Sequence, residues 1–297
     1  MASTEEVDVG MEATAARLRG SSSKDVAAVR SLLKTLRNKN IRRPDLVLEF
    51  APILLKSASQ LGNEAWTVQE QLFVAALDSN DLPLANEVLA RLTAKFPGSA
   101  RVRRLTAMKL EAEGEFEEAI SIYNSLLIDD PADTATMKRR VCIWKARKET
   151  RPRAIEELND YLKIFMADTT AWQELGDLYL DEQQYEFAAF CYEELILAEP
   201  LNHHYINRYA EILYTTGDYA TARKYFAHSL ELNRDSNNRA LFGLALACKA
   251  LASKKGGAKP KDNGELATLA AGKLRASYKA AAPEHLPVVD AVLAKLQ

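Results

Sequence analysis

The residue types that most often carry out catalysis or bind metals occur in this chain, but their spacing does not form a site. The histidines are His203, His204, His228 and His285. On a helix, His203 and His204 would point about 100° apart, whereas metal-binding pairs on a helix usually lie at positions i and i+4. Adjacent carboxylates are typical of a solvated helix face; these are Glu117-Glu118, Glu156-Glu157 and Glu193-Glu194. The run Lys255-Gly256-Gly257 lacks the strand and helix that surround a phosphate-binding loop.

We therefore predict that the chain is not an enzyme and has no catalytic, cofactor-binding or metal-binding residues. Its composition is that of a globular protein, and its net charge of −2 does not point to nucleic acid or to an anionic membrane. Residues 1–10 lack the apolar core of a signal peptide, and the most apolar window, residues 243–252, is about half as long as a membrane span. We expect no signal peptide, no membrane span and no nucleic-acid partner. Cys142, Cys191 and Cys248 each lie in an apolar helical stretch, which indicates reduced core residues.

The most informative stretch runs from residue 171 to residue 200. It contains, in order, Trp172, Leu175, Gly176, Tyr179, Ala188, Tyr192 and Pro200. This order of Trp, Leu-Gly, Tyr, Ala, aromatic and Pro within about 34 residues is the tetratricopeptide repeat pattern. Trp172, Leu175 and Tyr179 recur at helical spacing and are predicted to form a buried stripe. Gly176 and Ala188 should let neighbouring helices approach closely, and Pro200 should end the second helix.

The same pattern recurs along the chain with a nearly constant period. Alanines separated by 34, 35, 34 and 34 residues stand at Ala85, Ala119, Ala154, Ala188 and Ala222. Four residues after each comes a large side chain: Leu89, Tyr123, Leu158, Tyr192 and Phe226. This recurrence predicts an all-α, tetratricopeptide-repeat superhelical solenoid rather than a helical bundle with accidental periodicity.

The period also divides the chain. Residues 1–24 are polar and predicted to be a mobile N-terminal arm, and residues 25–65 form N-terminal helices that resemble a degenerate repeat. Residues 66–236 hold five repeats. Residues 237–297 hold a degenerate sixth repeat, a flexible loop at 253–264 and helices that cap the array.

The first helices of tetratricopeptide repeats line the concave face of the array, so their charges are candidate partner-binding groups. Two consecutive first helices are basic and the next is acidic, a polarity that would orient a partner, although simple solvation of an exposed helix is the alternative interpretation. The candidates are Arg101, Arg104, Lys138, Arg139, Arg140, Lys145, Glu174, Asp177, Asn207, Arg208 and Glu211.

One alternative function is a soluble adaptor that grips the C-terminal carboxylate of heat-shock chaperones. Such a clamp needs Lys, Asn and Arg on three consecutive first helices. Asn207 and Arg208 share one of these helices, but the first helix before them is acidic. A third possibility, an enzyme built on a repeat scaffold, finds no supporting motif.

Several segments go beyond the general repeat pattern. They include Phe96-Pro97-Gly98-Ser99, Ala188-Ala189-Phe190-Cys191 and Arg239-Ala240-Leu241-Phe242-Gly243-Leu244. In order and content these segments, spread over residues 69–245, resemble the family of subunit 2 of the endoplasmic reticulum membrane protein complex, or tetratricopeptide repeat protein 35.

The resemblance implies a non-catalytic scaffold, peripheral on the cytoplasmic face of the endoplasmic reticulum membrane. Its partners would be the cytosolic parts of membrane-embedded subunits and a soluble cytosolic subunit of the same complex. By holding these subunits together, it would support the insertion of tail-anchored and multi-spanning membrane proteins. The basic residues around Arg104 and Arg140 are expected to contact acidic partner segments.

Overall fold

The computed structural model describes residues 4–20, 25–57, 61–234, 237–253 and 263–296, and within these ranges no residue belongs to a β-strand. The chain divides into two compact units, Met1–Ile143 and Trp144–Gln297. The helices of the first unit are α1 (Thr4–Gly20), α2 (Val26–Asn38), α3 (Pro44–Leu55), α4 (Glu64–Asp78), α5 (Leu82–Lys95), α6 (Ala100–Glu113), α7 (Phe116–Asp129) and most of α8 (Thr134–Ala146).

The second unit continues the same alternation of helices. It contains α9 (Arg151–Ile164), α10 (Thr169–Asp181), α11 (Tyr185–Ala198), α12 (His203–Thr215), α13 (Tyr219–Leu232), α14 (Asn238–Ser253), α15 (Asn263–Ala281) and α16 (Leu286–Leu296). Each predicted repeat contains two of these helices. The all-α tetratricopeptide fold is confirmed.

Acidic or amide side chains start many of these helices. Asp168 accepts a hydrogen bond from the Ala171 amide, and Asp218 accepts one from the Thr221 amide, so each satisfies a backbone donor that the first helical turn leaves without a partner. Asp25 caps α2 in the same way. Asn202 caps α12 one repeat after Asp168 caps α10, and such caps fix where these helices begin.

The recurring alanines lie in the interior of the helix pairs. Ala85, Ala119, Ala154, Ala188 and Ala222 are all fully buried. The large side chains four residues after them, from Leu89 to Phe226, are buried as well. A small residue at one position and a large one at the next turn let the paired helices interdigitate without voids.

Two glycines mark the closest helix approaches. A Cβ added at Gly176 would lie 3.0 Å from the Tyr192 ring and 3.3 Å from the Cys191 Cβ. At Gly243 the added Cβ would lie only 2.3 Å from the Phe226 ring. Gly243 therefore has no room for any side chain while the buried Phe226 ring keeps its position.

The N-terminal segment differs from its predicted state as a mobile arm. Residues 4–20 form α1, in which Met11, Ala15 and Leu18 are buried at helical spacing. Arg19 of α1 donates to Glu49 of α3 at 3.0 Å. The polar composition of the segment hid this narrow apolar face. Residues 1–3 and 21–24 of the predicted arm lie outside the described residues.

Other expectations also need correction. Cys142 is exposed, whereas Cys191 and Cys248 are buried thiols. Trp172 is only half-buried, because its indole N–H reaches the Met166 carbonyl oxygen at 2.8 Å near the surface. The predicted loop at 253–264 begins with the last residue of α14, Ser253, and residues 254–262 lie outside the described part.

Pro200 follows the end of α11, as predicted.

No helix in the described ranges combines the length and the apolar character that crossing a bilayer would require.

The Gly243 contact generates a stability prediction. Gly243→Ala is expected to lower the free energy of unfolding by about 1–3 kcal/mol, because the methyl group collides with a buried ring. Gly272 lies inside α15 with nothing within 4 Å of its added Cβ. Gly272→Ala should instead raise the free energy by up to about 1 kcal/mol, since alanine favours the helix. Urea unfolding of both variants checks this, and equal stability of the two would contradict the close packing.

Candidate functional site

The predicted partner-binding residues lie on the first helices α6, α8, α10 and α12, and the structure places most of them in contact with one another or with a neighbouring first helix. Their charges are therefore matched within the chain. We call this set of cross-helix ion pairs the charge ladder; it consists of Arg30–Glu64, Arg37–Glu64, Arg101–Glu70, Arg104–Asp133 and Arg139–Glu111 in the first unit, and Lys145–Glu174, Asp177–Arg208 and Glu211–Arg239 in the second.

In the first unit the ladder has its best-defined geometry at Arg101. Its guanidinium binds Glu70 of α4 side-on, with Nε 2.8 Å from Oε1 and Nη2 2.6 Å from Oε2. Two parallel N–H bonds to one carboxylate fix the orientation of the arginine as well as its position.

Arg104 occupies a more buried site than Arg101. Its guanidinium forms an ion pair with Asp133, and its Nε lies 3.0 Å from the Thr136 hydroxyl oxygen. The exposed fraction of the Arg104 side chain is 24%, against 65% for Arg101. Arg104 thus joins α6 to the beginning of α8.

The basic residues of α8 have partners as well. Arg139 Nη1 lies 3.4 Å from Glu111 of α6, and Arg140 donates to the Asn124 side chain of α7 at 2.9 Å. Lys138 is half-buried on the same helix. In the second unit, Lys145 pairs with Glu174 of α10.

Further along the second unit, Arg208 of α12 links two acidic residues. It lies 3.7 Å from Asp177 of α10 and 3.4 Å from Glu211 on its own helix. Glu211 in turn accepts from Arg239 of α14 at 2.5 Å. Pairs of this exposure contribute about 0–1 kcal/mol each, so the ladder aligns the first helices more than it stabilises them.

Asn207 was predicted to bind a partner, and for this residue the prediction is wrong. Its side chain is buried, and its amide donates to Asn237 Oδ1 at 2.8 Å. Asn237 also donates to the Ser229 hydroxyl at 2.9 Å. Buried amides need such partners, so Asn207 belongs to a polar contact between packed helices rather than to the surface.

The acidic partners of the first unit, Glu64, Glu70, Glu111 and Asp133, are not among the residues that the sequence singled out, whereas Glu174, Asp177 and Glu211 of the second unit are. Glu70, Glu111 and Asp133 lie 28–31 residues from their arginines. That separation is close to the length of one repeat. Opposite charges about one repeat apart on first helices could therefore have predicted these ion pairs from the sequence.

Burial raises the pKa of carboxyl groups in the first unit, whereas hydrogen bonds from arginine lower it. Burial raises the pKa of Glu111, which accepts a hydrogen bond from Tyr123. Burial also acts to raise the pKa of Asp133, but the hydrogen bonds from Thr136 and Arg104 outweigh it and lower that pKa. The hydrogen bond from Arg30 lowers the pKa of Glu64, and that from Arg43 lowers the pKa of Asp45.

The adjacent histidines do not diverge as predicted. The ring centroids of His203 and His204 are 3.9 Å apart. Burial lowers the pKa of His203, and the neighbouring His204 acts in the same direction. His203 Nε2 lies 3.0 Å from the Asn233 side chain, and Ser229 donates to the His203 carbonyl oxygen at 3.0 Å. These contacts hold α12 against α13, and among the described residues no group of three or more potential ligands could hold a metal ion.

Comparisons with known proteins identify close relatives. A sequence profile of the EMC2 TPR-like repeat domain matches residues 88–231. ER membrane protein complex subunit 2-A of Xenopus laevis is 43% identical over 259 residues, which cover 85% of this chain and 86% of the relative. The Dictyostelium discoideum ER membrane protein complex subunit 2 is 35% identical over 69% of this chain and 65% of its own length.

A more distant relative is the TPR repeat protein oca3 of Schizosaccharomyces pombe, 32% identical over 64% of this chain and 68% of its own length. Among solved structures, the C-terminal part of a TPR repeat-containing protein from Cytophaga hutchinsonii matches with a TM-score of 0.58 at 14% identity, covering 85% of this chain and 95% of that one. This likeness concerns the fold.

The two arginines of α6 generate a prediction, because they differ in burial. Arg104→Ala should lower the free energy of unfolding by about 1–3 kcal/mol, since it leaves the poorly exposed Asp133 without its charged donor. Arg101→Ala should change it by about 0.5 kcal/mol or less, because the pair is largely solvated. Denaturant titration of both variants measures the difference. Equal losses would show that the ladder does not depend on burial.

The lowered carboxyl pKa values generate a prediction for acid. Glu64, Asp45 and Asp133 have folded pKa values below their ordinary values of 4.5 and 3.8. The unfolded chain therefore binds more protons near those values, so this stabilisation is complete above them and is lost as the pH falls through the folded values. The raised pKa of Glu111 has the opposite effect, since it favours the folded protein as the pH falls, but one such group offsets only part of the stability that the three lowered carboxyl groups lose.

We expect the thermal midpoint to fall between about pH 5 and pH 3, and to fall less in Arg104→Ala, where Asp133 has lost its charged donor. A midpoint that stays constant across this range in the unsubstituted protein would contradict the assigned pairs. Circular dichroism melts at constant ionic strength provide the measurement.

Proposed function

The chain belongs to the ER membrane protein complex subunit 2 family, and from this membership we propose that it is a non-catalytic scaffold subunit of that complex. The observation that carries the proposal is the extent of the similarity. At 43% identity it spans 85% of this chain and 86% of the Xenopus laevis protein, and therefore includes residues of both compact units. A shared repeat motif alone would not give similarity of this length.

As a scaffold, the chain would act at the cytoplasmic face of the endoplasmic reticulum membrane without entering the bilayer. It would hold the cytosolic parts of membrane-embedded subunits and a soluble subunit together. In this way it would support the insertion of tail-anchored and multi-spanning proteins. The mechanism is positional: a fixed surface lowers the entropy cost of bringing several partners together.

The charge ladder supports this role because it orients the charged side chains of the first helices before any partner binds. Arg101 remains 65% exposed although Glu70 holds its guanidinium, and Lys145 remains 43% exposed beside Glu174. Side chains that are held in place yet accessible lose little rotational freedom when a partner carboxylate or cation arrives. Arg101 and Lys145 are therefore the basic positions that we propose for acidic partner segments, and Arg140, which donates to Asn124 at 2.9 Å, is a third.

The chaperone-adaptor alternative is weakened by Asn207. A carboxylate clamp needs this amide at the surface, whereas it is buried against Asn237. The remaining Arg208 is already flanked by the carboxylates of Asp177 and Glu211. An anionic peptide terminus would have to displace or approach these negative charges.

The proposal is tested by isolating the tagged full-length chain from membranes in a mild detergent and identifying its partners by mass spectrometry. We expect several multi-spanning proteins in stoichiometric amounts. Recovery of soluble chaperones alone would overturn the scaffold and favour the adaptor.

A charge swap in the same assay tests whether a partner recognises Arg101. Arg101→Glu should reduce partner recovery several-fold, because it reverses an exposed charge. The double variant E70R/R101E restores the ion pair within the chain but does not return the positive charge to position 101. If it restores the thermal midpoint without restoring recovery, Arg101 contacts a partner. Restoration of both would leave Arg101 with a role inside the chain only.

A further inference from the structure

Helix α11 carries an exposed apolar surface that the repeat fold does not require. Phe187 and Phe190 are 58% and 52% exposed, and Leu197 and Leu201 are each 77% exposed. Phe187, Phe190, Glu194 and Leu197 follow one another at intervals of three and four positions, so they lie on one side of α11, and Leu201 lies in the turn after the helix. We call Phe187, Phe190, Leu197 and Leu201 the α11 stripe.

Side chains of neighbouring helices extend the α11 stripe sideways. The Phe187 ring stacks on Tyr179 of α10 with centroids 5.2 Å apart, and the Phe190 ring meets the Trp172 ring edge-on at 5.9 Å. The Trp172 indole is fixed by its hydrogen bond to Met166, whose own side chain is exposed. The two phenylalanines are therefore held by aromatic contacts from α10, which preorganises them.

The other repeats provide an internal comparison. Phe187 and Phe190 stand one residue before and two residues after the recurring buried alanine. The corresponding pairs in the other repeats are Leu84 and Glu87, Glu118 and Ser121, Arg153 and Glu156, and Thr221 and Lys224. The fold is thus compatible with polar residues at these two positions, and only α11 has two aromatic residues there.

The charge around the stripe restricts what can cover it. Helix α11 has three acidic residues, Glu186, Glu193 and Glu194, and no lysine or arginine. Glu199 follows directly after the helix. An anionic lipid surface would be repelled by this border. A second copy of the chain bringing its own α11 would place like charges opposite one another.

We propose that the α11 stripe is a docking surface for an amphipathic helix of another polypeptide whose apolar face is bordered by lysine or arginine. Large exposed apolar patches with a polar border mark protein interaction sites, and a helix laid across them buries its own apolar face. From Phe187 to Leu197 the stripe is about 15 Å long, which corresponds to nearly three turns of a bound helix. The acidic residues around the stripe select a bound helix whose own flanking residues are lysine or arginine.

This inference goes beyond the proposed function and is tested without any membrane complex. The probes are two synthetic amphipathic helical peptides with the same leucine face, one bordered by lysine and the other by glutamate. Binding of each to the purified full-length chain is measured by fluorescence anisotropy. We expect the lysine-bordered peptide to bind at least about tenfold more tightly than the glutamate-bordered one.

The chain itself supplies substitutions that its fold accepts. The triple variant F187T/F190S/L197A replaces each side chain by one that another repeat has at the same position, namely Thr221, Ser121 and Ala94. The net charge does not change. It should weaken binding of the lysine-bordered peptide at least about tenfold, while the loss of the ring contacts with Tyr179 and Trp172 lowers the thermal midpoint by only a few degrees. The matched control is Ile128→Ala. Ile128 lies in the second of the five repeats at the position that corresponds to Leu197, and its side chain is 80% exposed. This variant should bind the lysine-bordered peptide as tightly as the unsubstituted chain does.

A second variant tests the border separately. E186K/E194K should reverse the preference, so that the glutamate-bordered peptide binds more tightly. Equal binding of both peptides to the unsubstituted chain, or undiminished binding by the triple variant, would overturn the proposal. So would binding to phosphatidylcholine–phosphatidylserine vesicles in place of the peptide, since the surface would then be a membrane contact.

Discussion

The structure depends on the close approach of helices at a small residue in every repeat. The alanines from Ala85 to Ala222 are fully buried, and the large side chains one turn later fill the space beside them. A longer side chain at the alanine would separate the helices and leave voids around its large neighbour, which a packed interior tolerates poorly. Where the requirement is strictest, only glycine fits, as at Gly243 beneath the Phe226 ring. Because these residues recur every 34 or 35 positions, any two residues that play the same part in neighbouring repeats are separated by about that many residues in the sequence.

The charge ladder is a consequence of that spacing. Because neighbouring first helices are about one repeat apart in sequence, the ladder pairs an arginine with a carboxylate 27–34 residues away, as in Arg37–Glu64 and Arg30–Glu64. This explains how a first helix can be rich in charges of one sign: a neighbouring first helix supplies the opposite sign, as α10 supplies Glu174 to Lys145 of α8. Each pair is weak in water. Their joint effect is to hold long, flexible side chains in defined positions on a surface that is available to partners.

The sequence predicted those features that repeat, and it failed where a residue depends on a specific distant partner. The period identified the buried alanines and the helix pairs, because each has the same surroundings in every repeat, and the tetratricopeptide residue pattern identified Gly176. Asn207 was misplaced on the surface because its burial depends on Asn237, thirty residues later. Cys142 was misplaced in the core because it stands among the buried residues Val141, Ile143 and Trp144, although its own position on α8 is exposed. The buried face of α1 was missed because three apolar residues, ending with Leu18, are few among polar neighbours.

This contrast also separates what the fold needs from what it does not. A residue that packs one repeat on the next must recur, since the same contact is made each time, and Tyr192 and Phe226 illustrate this. Phe187 and Phe190 do not recur: at the same positions the chain elsewhere has leucine once and otherwise glutamate, serine, arginine, threonine and lysine. The two rings contact Tyr179 and Trp172 yet remain more than half exposed, and the other four repeats fold without aromatic residues at these positions, which is typical of a surface that contacts another molecule. In a repeat protein the departures from the period are therefore the positions at which a binding surface is most directly readable, and here they lie together on one helix.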